Sequence, residues 1–436
     1  MPIPNRILFP ISAAVTCVVV IGAFLFWQLD NARITIKNTL QPVSTGSGQL
    51  ITNPTAQTDI GNDGGDASLL HLRKGDLMGL RGEWQSAREE YQLSVDAGGG
   101  LTALRKLASA QLQLRDFRAA TETLAQLHRA GARAEDLLLL ESIINLDTGE
   151  LEKARQLLTA ADDSPQKHYG LALIAIATES NDTAKKELAA VISGWEPVLR
   201  SYARTLMAAY DEYALFPKSP DIHLQTLLGR ALAQVQQCEL ALPLLSQVTR
   251  EQDDYRDAWI VQGFCELTTN RTTESLASLE RAYQLDPEKA ETQYFLARAY
   301  AAQGDHGNAL TFLQYALQNG FTPEGEVRRV IAREALLAGN IALALDQQDA
   351  LTKLPDATID TYRDYVTAAI ASGKKEEALV KAQEATQKWP QEAISFELLG
   401  WAQGINGDKE HAKESLKKAL ELNPSLESAR ERMKEM

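Results

Sequence analysis

Six histidines (His71, His128, His168, His223, His306, His411) and three cysteines (Cys17, Cys238, Cys265) are the side chains of this 436-residue sequence best suited to metal or nucleophilic chemistry. Their spacing assembles neither. No HExxH or other two-histidine helical spacing occurs, and the cysteines form no CxxC and no Cys/His cluster of the kind that holds zinc. Gly373-Lys374-Lys375 reads as a turn between helices rather than a phosphate loop, and Gly46-Ser47-Gly48 is not a nucleophile elbow. No nucleophile, base and orienter set emerges, so no catalytic residue, metal or cofactor is expected and the chain reads as non-enzymatic. Cys238 and Cys265 fall on successive helices of neighbouring segments. They are either two separately buried small residues or a pair close enough, within about 7 Å between Cα atoms, to form a disulfide.

Composition narrows the function classes further. With 44% hydrophobic and 23% charged residues the sequence is globular rather than disordered. Lys and Arg number 44 against 58 Asp and Glu, giving a formal net charge of −14 and a pI near 5.1. Phosphate binding needs a basic face, so nucleic acid is not an expected partner.

Residues 7–27, ILFPISAAVTCVVVIGAFLFW, carry no charge, and 21 residues at 1.5 Å each cross roughly 30 Å of hydrocarbon. The run exceeds the apolar part of a cleaved signal peptide, and Phe24, Phe26, Trp27 and Leu29 fill the place where a small-residue cleavage site belongs. A transmembrane helix over 7–29 is therefore expected after a short tail, 1–6. Arg6 on one side is set against Arg33 and Lys37 on the other, so flanking charge does not decide the orientation. The usual outcome for an amino-terminal anchor places the remaining body outside the cytoplasm. Residues 38–66, rich in Thr, Gly, Asn, Ser and Pro, read as a flexible linker with a span on the order of 30 Å.

Beyond the linker the sequence repeats. Blocks begin at 222, 256, 290, 325, 359, 393 and 427, a spacing of 34 residues with one extra before 325. Each block predicts a helix, a break such as Gly304-Asp305 or Gly407-Asp408, and a second helix with small residues at fixed places. Blocks near 68, 101, 135 and 167 continue the pattern less regularly. The expected layout is an amino-terminal array over 67–196, an irregular connecting helix over 197–221 bracketed by prolines, a carboxy-terminal array over 222–426 and a solvating cap helix over 427–436. A 34-residue hairpin cannot bury its apolar face alone, so stacking of at least about three copies is required.

The best copies run Phe396, Leu399, Gly400, Ala412, Leu416, Ala419, Pro424 and Trp259, Gly263, Ser275, Leu279, Ala282, Pro287, with a third through Leu296, Ala297, Tyr300, Gly304, Ala309, Leu313 and Ala316. These resemble the tetratricopeptide repeat. The resemblance implies an all-α fold, a right-handed α-α superhelix (TPR solenoid), after one membrane helix. In that family the second, fifth, ninth and twelfth places of each first helix line the concave face. The ninth places here are Arg230, Phe264, Arg298, Arg333, Thr367 and Trp401; the fifth are Thr226, Ile260, Tyr294, Arg329, Arg363 and Glu397. The resemblance thus implies a peptide-binding stripe of Arg230, Ile260, Phe264, Tyr294, Arg298, Arg329, Arg333, Arg363 and Trp401. Its arginines and aromatics suit an acidic or carboxylate-ended protein or peptide. The competing reading pairs these arginines with acids of adjoining repeats. The clamp of the chaperone-binding members has no counterpart: Leu72, Asp76, Lys106, Asp136 and Leu140 occupy its places.

Together these features lead us to expect a membrane-anchored scaffold or adaptor, in the bacterial inner membrane with its repeats extracytoplasmic, that holds a protein partner during assembly of an envelope complex. A self-associating structural solenoid is the first alternative, and an enzyme or the regulatory subunit of one the last.

Overall fold

The structure, a computed structural model, describes residues 63–81 and 83–435. Over these residues it contains 22 helices and no strand, an all-α helical repeat. The expected tail, the membrane helix at 7–29 and the linker as far as residue 62 lie outside the described residues. Among the described residues no helix is long and apolar enough to cross a membrane. Two compact units divide the chain, one ending at Arg271 and the other beginning at Thr272.

In the first unit α1 (Asp63–Leu80) packs on α2 (Trp84–Asp96), α3 (Gly100–Gln113) on α4 (Phe117–Arg129), α5 (Ala134–Asp147) on α6 (Leu151–Ala160), and α7 (Pro165–Ala177) on α8 (Asn181–Ser193). A single helix, α9 (Pro197–Ala214), follows; then come the hairpin of α10 (Asp221–Gln234) and α11 (Cys238–Glu251), and α12 (Arg256–Thr268) against α11. Helix α1 begins at Asp63, inside the last residues of the expected linker.

The second unit opens with α13 (Thr272–Leu285). It continues with the hairpins α14 (Ala290–Ala302) and α15 (His306–Gln318), α16 (Glu324–Leu337) and α17 (Ile341–Thr352), α18 (Ile359–Ala371) and α19 (Lys375–Lys388), and α20 (Ala393–Ile405) and α21 (Lys409–Leu422). It closes on α22 (Glu427–Lys434) against α21.

The hairpins follow from a few residues per repeat. Gly304 and Gly407 sit at φ 80° and 90°, a left-handed conformation that ends the first helix at no steric cost. The next residues, Asp305 and Asp408, accept the backbone N–H of Asn308 and His411 and so cap the second helix. Between the helices the eighth place interlocks with the twenty-fourth. Gly229 faces Leu245 and Gly400 faces Leu416, and in both a methyl group on the glycine would fall 2.7 Å from the leucine side chain. Leu245, Leu416 and the twentieth-place alanines Ala241 and Ala412 are fully buried. Gly400→Val is therefore expected to destabilise the second unit by about 1–3 kcal/mol despite the better helix propensity of valine. Urea denaturation measures this, and an unchanged midpoint would mean that the close approach at Leu416 is not required.

The two units build their cores differently. In the second, separate apolar clusters form along the chain, one around Tyr294, Leu313 and Val327, another around Val366, Ala382 and Leu398, and a third around Leu416 and Ala429. This is the nearest-neighbour arrangement of a repeat array. In the first unit two local clusters, around Tyr91 and Leu107 and around Leu104 and Leu127, are followed by one that runs from Leu146 to Cys265. The odd helix α9 explains the difference. Pro197 at its first turn and Pro217 and Pro220 beyond its end fix its limits, and it buries Ala203, Leu206, Ala209 and Tyr210 on one face. After it, α11 packs on α5 and α7 as well as on α10 and α12. Helix α7 is accordingly covered nearly all round, with Tyr169, Gly170 and every residue from Ala172 to Ile176 buried.

Candidate functional site

The expected stripe divides between the units, and its residues meet different fates. In the first unit Arg230 on α10 donates to Glu212 of α9 at 2.6 Å, with both side chains about seven-tenths covered. Arg230 ties the unpaired helix to the next hairpin. Ile260 is buried at 8% exposure, and Phe264 is half-buried against the same core. These three positions hold the fold together and present no open basic surface.

In the second unit Tyr294 is also buried, at 3% exposure. Its ring stacks on Phe321 at 4.3 Å between centroids and its hydroxyl donates to Glu326 of α16. Burial, and then the Glu326 carboxylate, push the phenol well above its usual range. The Arg298 guanidinium lies 5.9 Å over the Tyr294 ring, and Arg298 and Arg333 both act on this phenol electrostatically. Arg333 donates to the buried Glu334 at 2.8 Å, and Glu334 also bonds His306 Nδ1 at 2.8 Å. Arg329, one turn before Arg333 and one turn after Gly325, is exposed. Among the described residues neither Arg298 nor Arg329 pairs with a carboxylate.

Further along, Arg363 is paired with Asp360 three residues earlier on α18. Trp401 is covered by the guanidinium of Arg432 from α22, 3.9 Å from the ring, and Arg432 also donates to Glu397 at 3.1 Å. Of the five arginines, three are therefore neutralised within the chain, and the aromatic members are buried or covered. What remains is a smaller set: Arg298 over the Tyr294 ring, and the exposed Arg329 three residues after Glu326 on α16. Uncommitted guanidinium groups in such a place suit bidentate binding of a carboxylate.

One feature was not found by sequence reasoning, a polar clasp in the first unit. Arg115, in the α3–α4 turn, gives both terminal nitrogens to the Glu239 carboxylate at the start of α11, 124 residues away. The Asp147 carboxyl at the end of α5 lies within their field and is pushed up to about 7, by burial first and then by Glu239, with Arg115 opposing. The only sequence signal was an arginine where other repeats place glycine: Arg115 holds φ 58°. Of the two readings the sequence left open for the cysteines, the disulfide is not formed: Cys238 and Cys265 are both free and buried; Thr268 Oγ1 donates to Cys238 Sγ at 3.1 Å, and a hydrogen bond with Cys265 lowers the Cys238 thiol. Among the described residues no group of three or more His, Cys, Asp or Glu side chains could hold a metal ion.

Comparison with known proteins agrees with this architecture. Tetratricopeptide repeat family models match residues 105–168, 226–290 and 266–326, and a second such model matches 393–426. No curated protein matches the chain. Similar solved structures include YrrB, a TPR protein with an unusual peptide-binding site (20% identity, TM-score 0.36, 44% of this chain and 97% of that one). Another is PilW, a widely conserved type IV pilus biogenesis factor (12% identity, TM-score 0.36, 49% and 98%). A third is TTC0263, a thermophilic TPR protein in Thermus thermophilus (17% identity, TM-score 0.31, 48% and 100%). Tetratricopeptide repeats are thus present in both compact units of the chain.

Proposed function

We propose that the protein is a membrane-anchored scaffold that binds an acidic segment of a protein partner on the α14–α16 face of its second unit. The observation that carries this reading is the pair Arg298 and Arg329, half-exposed and exposed guanidinium groups without a carboxylate partner among the described residues of a chain of net charge −14. A unit that leaves such groups unpaired while neutralising Arg333 and Arg363 is selective for a ligand that brings its own carboxylates. The role is binding, without chemistry of its own. The apolar stretch at 7–27 supports the anchor, with the repeats outside the cytoplasm of a bacterial cell and the partner belonging to an envelope assembly.

Two measurements test the reading. Titration of the full chain in detergent with a fluorescent Asp/Glu-rich peptide is expected to give saturable binding that weakens as salt rises, because exposed charge pairs are screened. Alkaline extraction of native membranes is expected to leave the chain in the pellet. Absence of saturable binding removes the acidic-ligand reading, and release of the intact chain removes the anchor.

A further inference from the structure

The outward face of α1 differs from the rest of the surface. Leu69, Leu70, Leu77 and Leu80 are 44%, 55%, 56% and 82% exposed. Arg73, Lys74 and Arg81 stand exposed among them, and none of the three pairs with a carboxylate among the described residues. At 100° per residue all seven positions fall within an arc of roughly 140°. The opposite side of the helix does the packing. Gly75 abuts the Tyr91 ring, Ser68 bonds Ser94, and Asp76 is held inward by the Tyr91 hydroxyl and the Lys106 ammonium, each at 2.9 Å. By the same arithmetic the acids at 63 and 66 also fall within this arc, in the first turn, and the stretch of the face from Leu69 to Arg81 carries cations alone.

We propose that this face of α1 lies on an anionic lipid surface. Leucines interleaved with uncommitted cations on one side of a helix are the pattern of an interfacial helix, whose apolar groups enter the headgroup boundary while its cations meet lipid phosphates. Charge selects lipid over a second copy of the chain. Two such faces meeting about a twofold axis would bring six cations together with only four acids, whereas an anionic headgroup layer offers a phosphate to each of Arg73, Lys74 and Arg81. Chain length supports the same occupant. Asp63 follows Trp27, the end of the apolar stretch, by 36 residues, and 36 residues even fully extended reach no further than about 130 Å, so α1 stays within reach of the bilayer. This last point rests on the anchor proposed above; the face itself does not.

The test uses the full chain with Leu77→p-benzoylphenylalanine, mixed with vesicles of phosphatidylcholine alone or with phosphatidylglycerol added at about one part in four. The residue is expected to photocrosslink phospholipid at least about tenfold more in the anionic vesicles. Reversal by Arg73→Glu, Lys74→Glu and Arg81→Glu is expected to abolish that gain, since cations near an anionic surface together contribute about 100-fold in partitioning. Benzophenone at the exposed Ala125 of α4 serves as the control position. Flotation separates the two ideas. A chain that floats with both vesicle types but crosslinks no lipid from position 77 keeps its anchor and loses the α1 surface. A chain that floats and crosslinks only with anionic vesicles loses the anchor and keeps the surface. Crosslinks to another copy of the chain, or equal lipid crosslinking in both vesicle types, overturn the proposal.

Discussion

Arg115→Ala is expected to cost the first unit about 3 kcal/mol at pH 8 and less than half of that at pH 5. The guanidinium is 23% exposed and the Glu239 carboxylate that it grips 15%. Both are therefore largely removed from water, where losing one partner strands the other. The stranded group here has a second acid beside it. Asp147 is pushed up to about 7 by burial and by Glu239, and loss of Arg115 raises it further, so at pH 8 the variant must either hold two carboxylates in a poorly solvated site or take up a proton there. At pH 5 Asp147 is protonated and only Glu239 remains unpaired. The sign for the wild type follows from the same shift. The folded carboxyl sits above its unfolded value, so the stability it lends is complete below about pH 4 and is lost as pH rises through about 7. Asp147→Asn is accordingly expected to raise the urea midpoint at pH 8 and to leave it unchanged near pH 4. Urea titrations of wild type, Arg115→Ala and Asp147→Asn at both pH values check this. Equal losses for Arg115→Ala at pH 5 and pH 8 would show that Asp147 takes no part in the clasp.

Leu206→Ala should have a comparable or larger effect, about 3–4 kcal/mol, because Leu206 is fully buried and its replacement leaves a cavity. The position matters more than the side chain. Helix α9 offsets the hairpins that follow it, and α11 then covers α5 and α7. Loosening α9 is therefore expected to weaken α10 and α11 as well, whereas the second unit, whose clusters are local, keeps its stability. Amide hydrogen exchange reads this directly, with protection falling in α7, α10 and α11 and unchanged in α20. Loss of protection confined to α9 would contradict the merged core.

How much of this could be read from the residues follows from the range over which each feature acts. The hairpins were legible because their determinants lie within one repeat. Gly400 opposes Leu416, Gly407 ends α20, and Asp408 caps α21, all within 17 residues. The Arg363–Asp360 pair is equally local and cancels one arginine of the stripe at helical spacing. Arg230 was not legible as a structural residue, because its partner Glu212 belongs to the helix that breaks the repeat register. The Arg115–Glu239 clasp was invisible for the same reason, since nothing in a 34-residue period announces that α11 will return to the α3–α4 turn. Trp401 keeps its register position but lies under Arg432, because α22 occupies the place of the next repeat. The stripe thus shrinks to Arg298 and Arg329, the two of its arginines that pair with no carboxylate among the described residues.

Binding through that face is tested most directly by exchanging its charge. In the full chain, Arg298→Glu with Arg329→Glu is expected to weaken an Asp/Glu-rich peptide about 100-fold relative to wild type, and Arg363→Glu much less, because Arg363 is already paired. The doubly reversed chain should in turn bind a Lys-rich peptide of the same length that the wild type ignores. If the acidic peptide binds the reversed and original chains equally while both show the same unfolding midpoint, the ligand does not meet Arg298 and Arg329.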